Sequence, residues 1–364
     1  RLFSAQKAGF ENWQTVLRLS RKEPYFLLET PFPADTSAAL ILKKRIDEKQ
    51  RILAEGEEKK LIRVSATPDL NVFFFCPLKW LYKKIIGVEK LTMEAQLLDD
   101  ASLGLLYHEI LRDLFTRIRE TDKAFNSRRL AEYFKWTEEI TLAAAKNYPA
   151  FQGPLAVPLV MSQARAIIQK LKGLLKIESA YFDGYAAGDL EAPLSLAEGG
   201  TRLYGIVDRV SISPDGAPLI IDYKTGKTPT KADSTGTDGS PPKDFQMPLY
   251  IKLYEAKAGV PVEQACFFSI NDHDLSAVIG SPGKKRGHAR EDYQETMEAV
   301  DICIEQFANA VDSLNFVPPE TDLEACSACD YRCLCRTTFT LNSGRFLKRS
   351  NTVGKNSRGD GYVN

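Results

Sequence analysis

Between residues 203 and 224 apolar and polar positions alternate with a period of two, interrupted once by Ser213-Pro214-Asp215-Gly216. Two runs rich in β-branched and aromatic residues around such turn chemistry predict a β-hairpin. Elsewhere the period is helical. In residues 103–120, Ile110, Leu111, Leu114, Phe115 and Ile118 recur three and four apart and predict an amphipathic helix. The same spacing predicts a helix over 128–147, and a second one through Ile167, Leu171, Leu174 and Leu175 after Pro149, Pro154 and Pro158. Together these make a helical insertion over 122–186. Residues 245–258 read as a helix stopped by Gly259 and Pro261, and 291–314 as a long one carrying Met297, Val300, Ile304, Phe307, Val311 and Leu314. A further core strand is expected at 262–271. Residues 225–244 have no apolar pattern and read as a mobile loop beside the hairpin. At the N-terminus, Phe10, Trp13, Val16, Leu17 and Leu19 fit a short helix and 36–57 a longer charged one.

Composition narrows the class. The 364 residues suffice for one large domain or two modest ones. With 48 Lys and Arg against 48 Asp and Glu, net charge does not advertise nucleic-acid binding, although a basic groove on one face could be offset by acids elsewhere. No apolar run approaches the ~20 residues that span a bilayer, and no signal peptide is visible, so a soluble, cytoplasmic protein is expected. The chain begins with Arg1 and reads as a piece of something longer. Four of its seven cysteines fall within residues 326–335, which suits metal ligation in a reducing compartment better than disulfides.

Strand geometry concentrates the chemistry. In the first run of the hairpin Asp208 shares a face with Tyr204, Ile206 and Val210; in the second, Asp222 and Lys224 emerge together. Two carboxylates on adjacent strands repel unless a hard divalent cation sits between them, with Lys224 beside the water it activates. The plain alternative is an exposed ion pair worth at most ~1 kcal/mol. His108 shares the inward side of its helix with Leu111 and Phe115, where a histidine is ordinarily a core residue. Cys326, Cys329, Cys333 and Cys335 could form a local zinc site. Cys266 and Cys303 lie on apolar faces and read as packing; His273 and His288 sit in polar loops and take no role. Arg165, Lys170, Lys172 and Lys176 could line a nucleic-acid channel or form a solvated helix face.

Taken together, Gly104-x3-His108, Gly205-x2-Asp208, Asp222-Tyr223-Lys224-Thr225-Gly226 and Gln246-x3-Tyr250 resemble the RecB-like branch of the PD-(D/E)xK nuclease superfamily, in that family's order. Cys76 with Cys326-x2-Cys329-x5-Cys335 resembles the cysteine pattern of an iron–sulfur sub-branch. The resemblance implies an α/β fold with a restriction-endonuclease-like core, a mixed sheet flanked by helices and carrying helical insertions. It places the nuclease domain at 64–340; the helical spacing before it makes 1–63 a helical arm or linker to a preceding domain, and the scarcity of apolar residues after it makes 341–364 a disordered tail. It implies Mg²⁺ or Mn²⁺ held by His108, Asp208, Asp222 and the backbone carbonyl of Tyr223, with Lys224 positioning water and Gln246 and Tyr250 contacting DNA or tuning the site. It further implies a 4Fe-4S cluster on Cys76, Cys326, Cys329 and Cys335 that leaves Cys333 spare, with Zn²⁺ the alternative. Within the branch the chain is most similar to the C-terminal nuclease domain of AddB-type subunits. That implies a DNA exonuclease working with a helicase partner in double-strand break repair. A stand-alone exonuclease of the exonuclease V or CRISPR-adaptation kind and a non-catalytic DNA-binding scaffold are the other readings.

Overall fold

The computed structural model describes residues 37–53, 60–89, 100–147, 157–237, 240–317, 326 and 329–335. The helix expected near residues 10–19 and the tail at 341–364 lie outside them. The chain divides into two compact units, one formed by 51–74 with 91–308 and the other by 1–50, 75–90 and 309–364.

The larger unit is built on a seven-stranded mixed sheet. Its strands are β1 (Arg51–Leu53), β2 (Lys60–Val64), β3 (Ala186–Glu198), β4 (Thr201–Ile212), β5 (Pro218–Lys224), β6 (Gln264–Ser269) and β7 (Asp274–Ile279). The predicted hairpin is β4 and β5, antiparallel from Ile212↔Pro218 to Arg209↔Ile221. Its turn closes through Gly216 N–H to Ser213 O and Ser213 N–H to Ala217 O. β6 joins β5 in parallel and β7 joins β6 antiparallel. Strand β4 is the pivot. One edge pairs with β3 along nearly its whole length, from Glu198↔Thr201 to Ala186↔Ile212. The other edge is shared: β2 runs parallel to its first three residues, β5 antiparallel to its last four. Residues 204–208 lie between the two ladders, so the sheet forks there.

Helices follow from the apolar stripes. Residues 103–120 lie inside α2 (Asp100–Asp122), which buries Leu106, Tyr107, Ile110, Leu111, Leu114, Phe115 and Ile118. The insertion is α3 (Leu130–Asn147) and α4 (Val157–Tyr181). With α2 they enclose a core that also takes in Leu219, Ile221, Tyr223, Cys266 and Phe268 from the sheet. α5 (Gln246–Ala258) ends on Gly259 in the left-handed region, and α6 spans Gln294–Ser313. Among the described residues no helix is long and apolar enough to cross a membrane.

In the smaller unit α1 (Ser37–Lys49) buries Ala38, Ala39, Leu42 and Ile46. Trp80 stacks on Phe316 and Tyr82 on Tyr331, whose hydroxyl donates to Val88 O.

Three expectations are corrected. The charged helix expected over 36–57 stops at Lys49, because Arg51–Leu53 takes strand hydrogen bonds from β2; tertiary pairing overrides local propensity. Strands β2, β3 and β7 have no counterpart among the expected elements, and β1 and β2 put residues 51–53 and 60–64 in the sheet where a helical arm is expected. The segment expected as a mobile loop is instead hydrogen-bonded in its described part. Lys243 and Asp244 N–H donate to Asp233 O, Tyr293 hydroxyl donates to buried Ser234 O, and Thr296 hydroxyl to Gly236 O. Polar contacts leave no apolar period to read.

Candidate active site

The site lies at the fork. The β4–β5 ladder ends at Arg209↔Ile221, and the next residues on each strand are Asp208 and Asp222. Asp208 Oδ2 accepts the Tyr223 N–H at 2.7 Å, which fixes one carboxylate against the backbone of the other strand. Both carboxylates are buried, Asp222 to 1% exposure. Burial and then the Asp222 charge push Asp208 well above the usual carboxylate range, against the pull of His108 and the Tyr223 N–H. Asp222 is likewise raised by burial, with the Lys224 charge as the strongest opposing influence.

Lys224 closes one side. Its Nζ lies 2.6 Å from Asp222 Oδ2 and donates to Gln246 Oε1 at 2.6 Å. Burial would lower its pKa, but the charge and hydrogen bond of Asp222 outweigh this and hold it above the ordinary lysine value. Gln246 is the first residue of α5, and its Nε2 donates to Asp222 Oδ1 at 2.7 Å and to Tyr250 Oη at 2.9 Å. Tyr250 follows one turn later on the same side of the helix. A Cβ at Gly205 would sit 2.8 Å from its ring, so the glycine of Gly-x2-Asp lets α5 dock this closely. Burial, then Asp222 and Asp208, raise the Tyr250 phenol and keep it neutral.

His108 enters from α2, where it is a quarter exposed. Its Nδ1 lies 3.4 Å from Asp208 Oδ1 and 2.9 Å from Glu191 Oε1. Burial pulls the imidazole down, but the Glu191 hydrogen bond and the charges of Asp208, Glu191 and Asp222 outweigh it and raise its pKa to about 9. A cation would relieve the crowding. One donor atom each from His108, Glu191 and Asp208 lies within 4.8 Å of the others. Carboxylate oxygens with one imidazole suit Mg²⁺ or Mn²⁺ rather than a soft metal; the group holds His108 and Asp208 of the expected ligands, while the Asp222 oxygens face Lys224 and Gln246.

Of the residues expected at a nuclease centre, His108, Asp208, Asp222, Lys224, Gln246 and Tyr250 all converge here, and the Tyr223 backbone lies between two of them. Gly104 does not contribute in the same way, since a Cβ there would meet nothing within 4 Å. Glu191 was missed. Its signal was present: Leu190, Ala192, Leu194 and Leu196 alternate with Glu191, Pro193 and Ser195, a strand pattern broken by Gly188 and Pro193.

Three of the four cysteines expected to hold a cluster lie together in the smaller unit. Cys76 precedes the helix Pro77–Trp80. Burial pushes its thiol up, the Lys79 and Leu78 amides draw it down, and neighbouring Cys329 and Cys326 raise it again. Cys326 O accepts the Cys329 N–H. The side chains of Cys333 and Cys335 lie outside the described residues. Cys266 and Cys303 are buried among apolar residues, while His273 Nε2 contacts Lys170 O and His288 Nε2 contacts Thr235 Oγ1.

A profile of the PD-(D/E)XK nuclease superfamily matches residues 63–336. An uncharacterised protein of Treponema pallidum (strain Nichols) is 34% identical over 94 residues, which are 26% of this chain and 12% of that protein's length. The crystal structure of a candidate exonuclease from Eubacterium rectale aligns over 84% of this chain and 94% of its own at 13% identity, with a TM-score of 0.36.

Proposed function

This chain belongs to the PD-(D/E)XK nuclease superfamily, and we propose that it is a metal-dependent exonuclease that hydrolyses DNA phosphodiester bonds at the fork of its sheet. The observation that carries this reading is the convergence of Asp208, Asp222, Lys224 and His108 beside Gln246 and Tyr250. His108, Asp208, Asp222 and the Tyr223 carbonyl would hold Mg²⁺ or Mn²⁺, which supplies Lewis-acid charge at phosphate and lowers the pKa of bound water.

The side chains do the positioning. Gln246 gives both amide protons, to Asp222 and Tyr250, so its oxygen must face Lys224. Lys224 is thereby fixed between Gln246 and Asp222, and of its three N–H donors one remains for substrate. That proton is aimed to orient the attacking water or to meet charge growing on a phosphate oxygen. Tyr250, held neutral, offers its hydroxyl to the sugar-phosphate backbone. Recognition rests on backbone rather than base sequence, as a nuclease of broad substrate range requires.

The cysteines carry a structural 4Fe-4S cluster on Cys76, Cys326, Cys329 and Cys335. Soft sulfur donors brought together from distant parts of the sequence, one of them met by two backbone amides, support this reading. An iron band in the visible spectrum, lost in Cys76→Ala, is expected; a colourless zinc protein indifferent to Cys76 would assign a local zinc site instead. The similarity to AddB-type subunits supports a helicase partner, a role in double-strand break repair and a cytoplasmic setting.

The test uses end-labelled linear duplex and covalently closed circular DNA, with Mg²⁺ or Mn²⁺ and with EDTA. Degradation of the linear substrate alone, only with metal, and its loss in Asp222→Ala and Lys224→Ala are expected. Equal activity in wild type and both variants would remove the nuclease reading and leave a DNA-binding scaffold.

A further inference from the structure

Glu191 stands out because its position costs stability in two ways. The β3–β4 register runs without a break through Ala192↔Val207 and resumes in the same register at Leu190↔Arg209, which sets Glu191 directly opposite Asp208. Residues opposite each other on antiparallel strands project to one face, and like charges there repel. The backbone of Glu191 is also left-handed, with φ of 45°, a conformation disfavoured for a residue with a Cβ.

The surroundings enforce both. A register shift falls between Ala187 and Leu190, and the shifted segment is held from two helices. Arg119 of α2 donates to Gly188 O at 2.7 Å, and Lys257 of α5 donates to Asp189 Oδ2 at 2.6 Å. Strain retained by such over-determination is characteristic of functional positions.

We propose that Glu191 is a fourth side-chain ligand of the cation at the fork, beside His108, Asp208 and Asp222. This rests on the metal-centre reading above and extends it to a residue none of the motifs contains. His108 Nδ1 faces Glu191 Oε1 at 2.9 Å and Asp208 Oδ1 at 3.4 Å. Adjacent donors around a six-coordinate ion with bonds of about 2.1 Å stand about 3 Å apart. His108 is therefore already spaced as a neighbouring ligand to each carboxylate, and one donor atom from each of the three groups lies within 4.8 Å of the others. Repulsion between Glu191 and Asp208 then becomes a source of affinity.

A competing role is to hold the His108 ring from outside, as carboxylates commonly do behind a ligating imidazole. Glu191→Gln separates the two. It keeps an oxygen able to accept from Nδ1 and loses the anionic ligand. Mn²⁺ binding would be followed by electron paramagnetic resonance of the free ion in wild type, Glu191→Gln, Glu191→Asp, Glu191→Ala and Asp208→Ala. If Glu191 is a ligand, Glu191→Gln is expected to bind more than ~100-fold more weakly than wild type, beyond the range that loss of a carboxylate behind the imidazole gives, with Glu191→Asp binding more tightly than Glu191→Gln. Melting in EDTA should show Glu191→Gln folded and no less stable than wild type; if it does not fold, the ranking of Glu191→Asp above Glu191→Ala carries the test. Wild-type affinity in Glu191→Gln, with or without loss in Glu191→Ala, overturns the proposal. The metal centre itself fails in a different way, with wild type binding no Mn²⁺ or Asp208→Ala binding as wild type does.

Discussion

Asp208 and Arg209 are neighbours on one strand and project to opposite sides of it, and the protein treats their charges differently. Arg209 is 1% exposed and forms an ion pair with Glu178 of α4, equally buried. Its guanidinium lies 4.0 Å over the Phe115 ring and 5.7 Å over that of Tyr223. One cation meets one anion there. On the other side Asp208 meets Asp222 and Glu191, both acidic, with His108 and Lys224 as the nearby cations. Both sets are buried enough that charge must be matched by something. The first set is matched within the chain and serves the fold. The second is crowded with acids around a few donor atoms, which is the arrangement expected where a cation binds.

The contrast can be broken at either end. Arg209→Met leaves Glu178 buried without its cation and is expected to cost about 3–5 kcal/mol, read as a fall in the urea midpoint. A loss below about 1 kcal/mol would mean that this pair is not the compensated half of the comparison. Mn²⁺ at about a hundred times its Kd should stabilise the wild type by about 2.7 kcal/mol over EDTA, and Asp222→Asn should lose most of that gain. Equal stabilisation in both proteins would place the ion elsewhere. The smallest effect is a control far from either side of β4. Burial, then the Lys231 charge, lower the His288 pKa below its ordinary value, with Asp292 opposing. The folded state therefore takes up that proton less readily than the unfolded chain. The stability it contributes is full above the unfolded pKa of about 6.5 and is lost as pH falls through the folded value. Between about pH 7.5 and about pH 5.5 the melting temperature should drop by at most about 2 °C on this account, and His288→Gln should remove that part of the slope.

Much of the site was legible because it is written in local patterns. Period-two alternation gave the hairpin and set Asp222 beside Lys224; helical period gave α2 and the inward side of His108; Gln246 and Tyr250 came only from the resemblance to the RecB-like branch, their four-residue spacing adding that they share a helix face. Gly205 was legible only as part of a motif, and the structure supplies its cause in the ring of Tyr250. What escaped depends on distant partners. Glu191 matters because β3 pairs with β4 in one register, and a strand interrupted by Gly188 and Pro193 does not announce that register. β1 forms because β2 is there to receive it, and the described part of the 225–244 segment is tied by polar bonds to Tyr293 and Thr296. None of these leaves a period in the sequence.

The most direct test of the central contrast is urea unfolding of wild type and Asp208→Asn, each in EDTA and in saturating Mn²⁺. The substitution keeps an oxygen for the Tyr223 N–H and removes one of the crowded charges. A reversal is expected: Asp208→Asn more stable than wild type by about 1 kcal/mol in EDTA, because a repulsion is gone, and less stable than wild type in Mn²⁺, because a ligand is gone. If Asp208→Asn is the less stable protein in both conditions by the same margin, the carboxylates at the fork are structural and the site holds no cation.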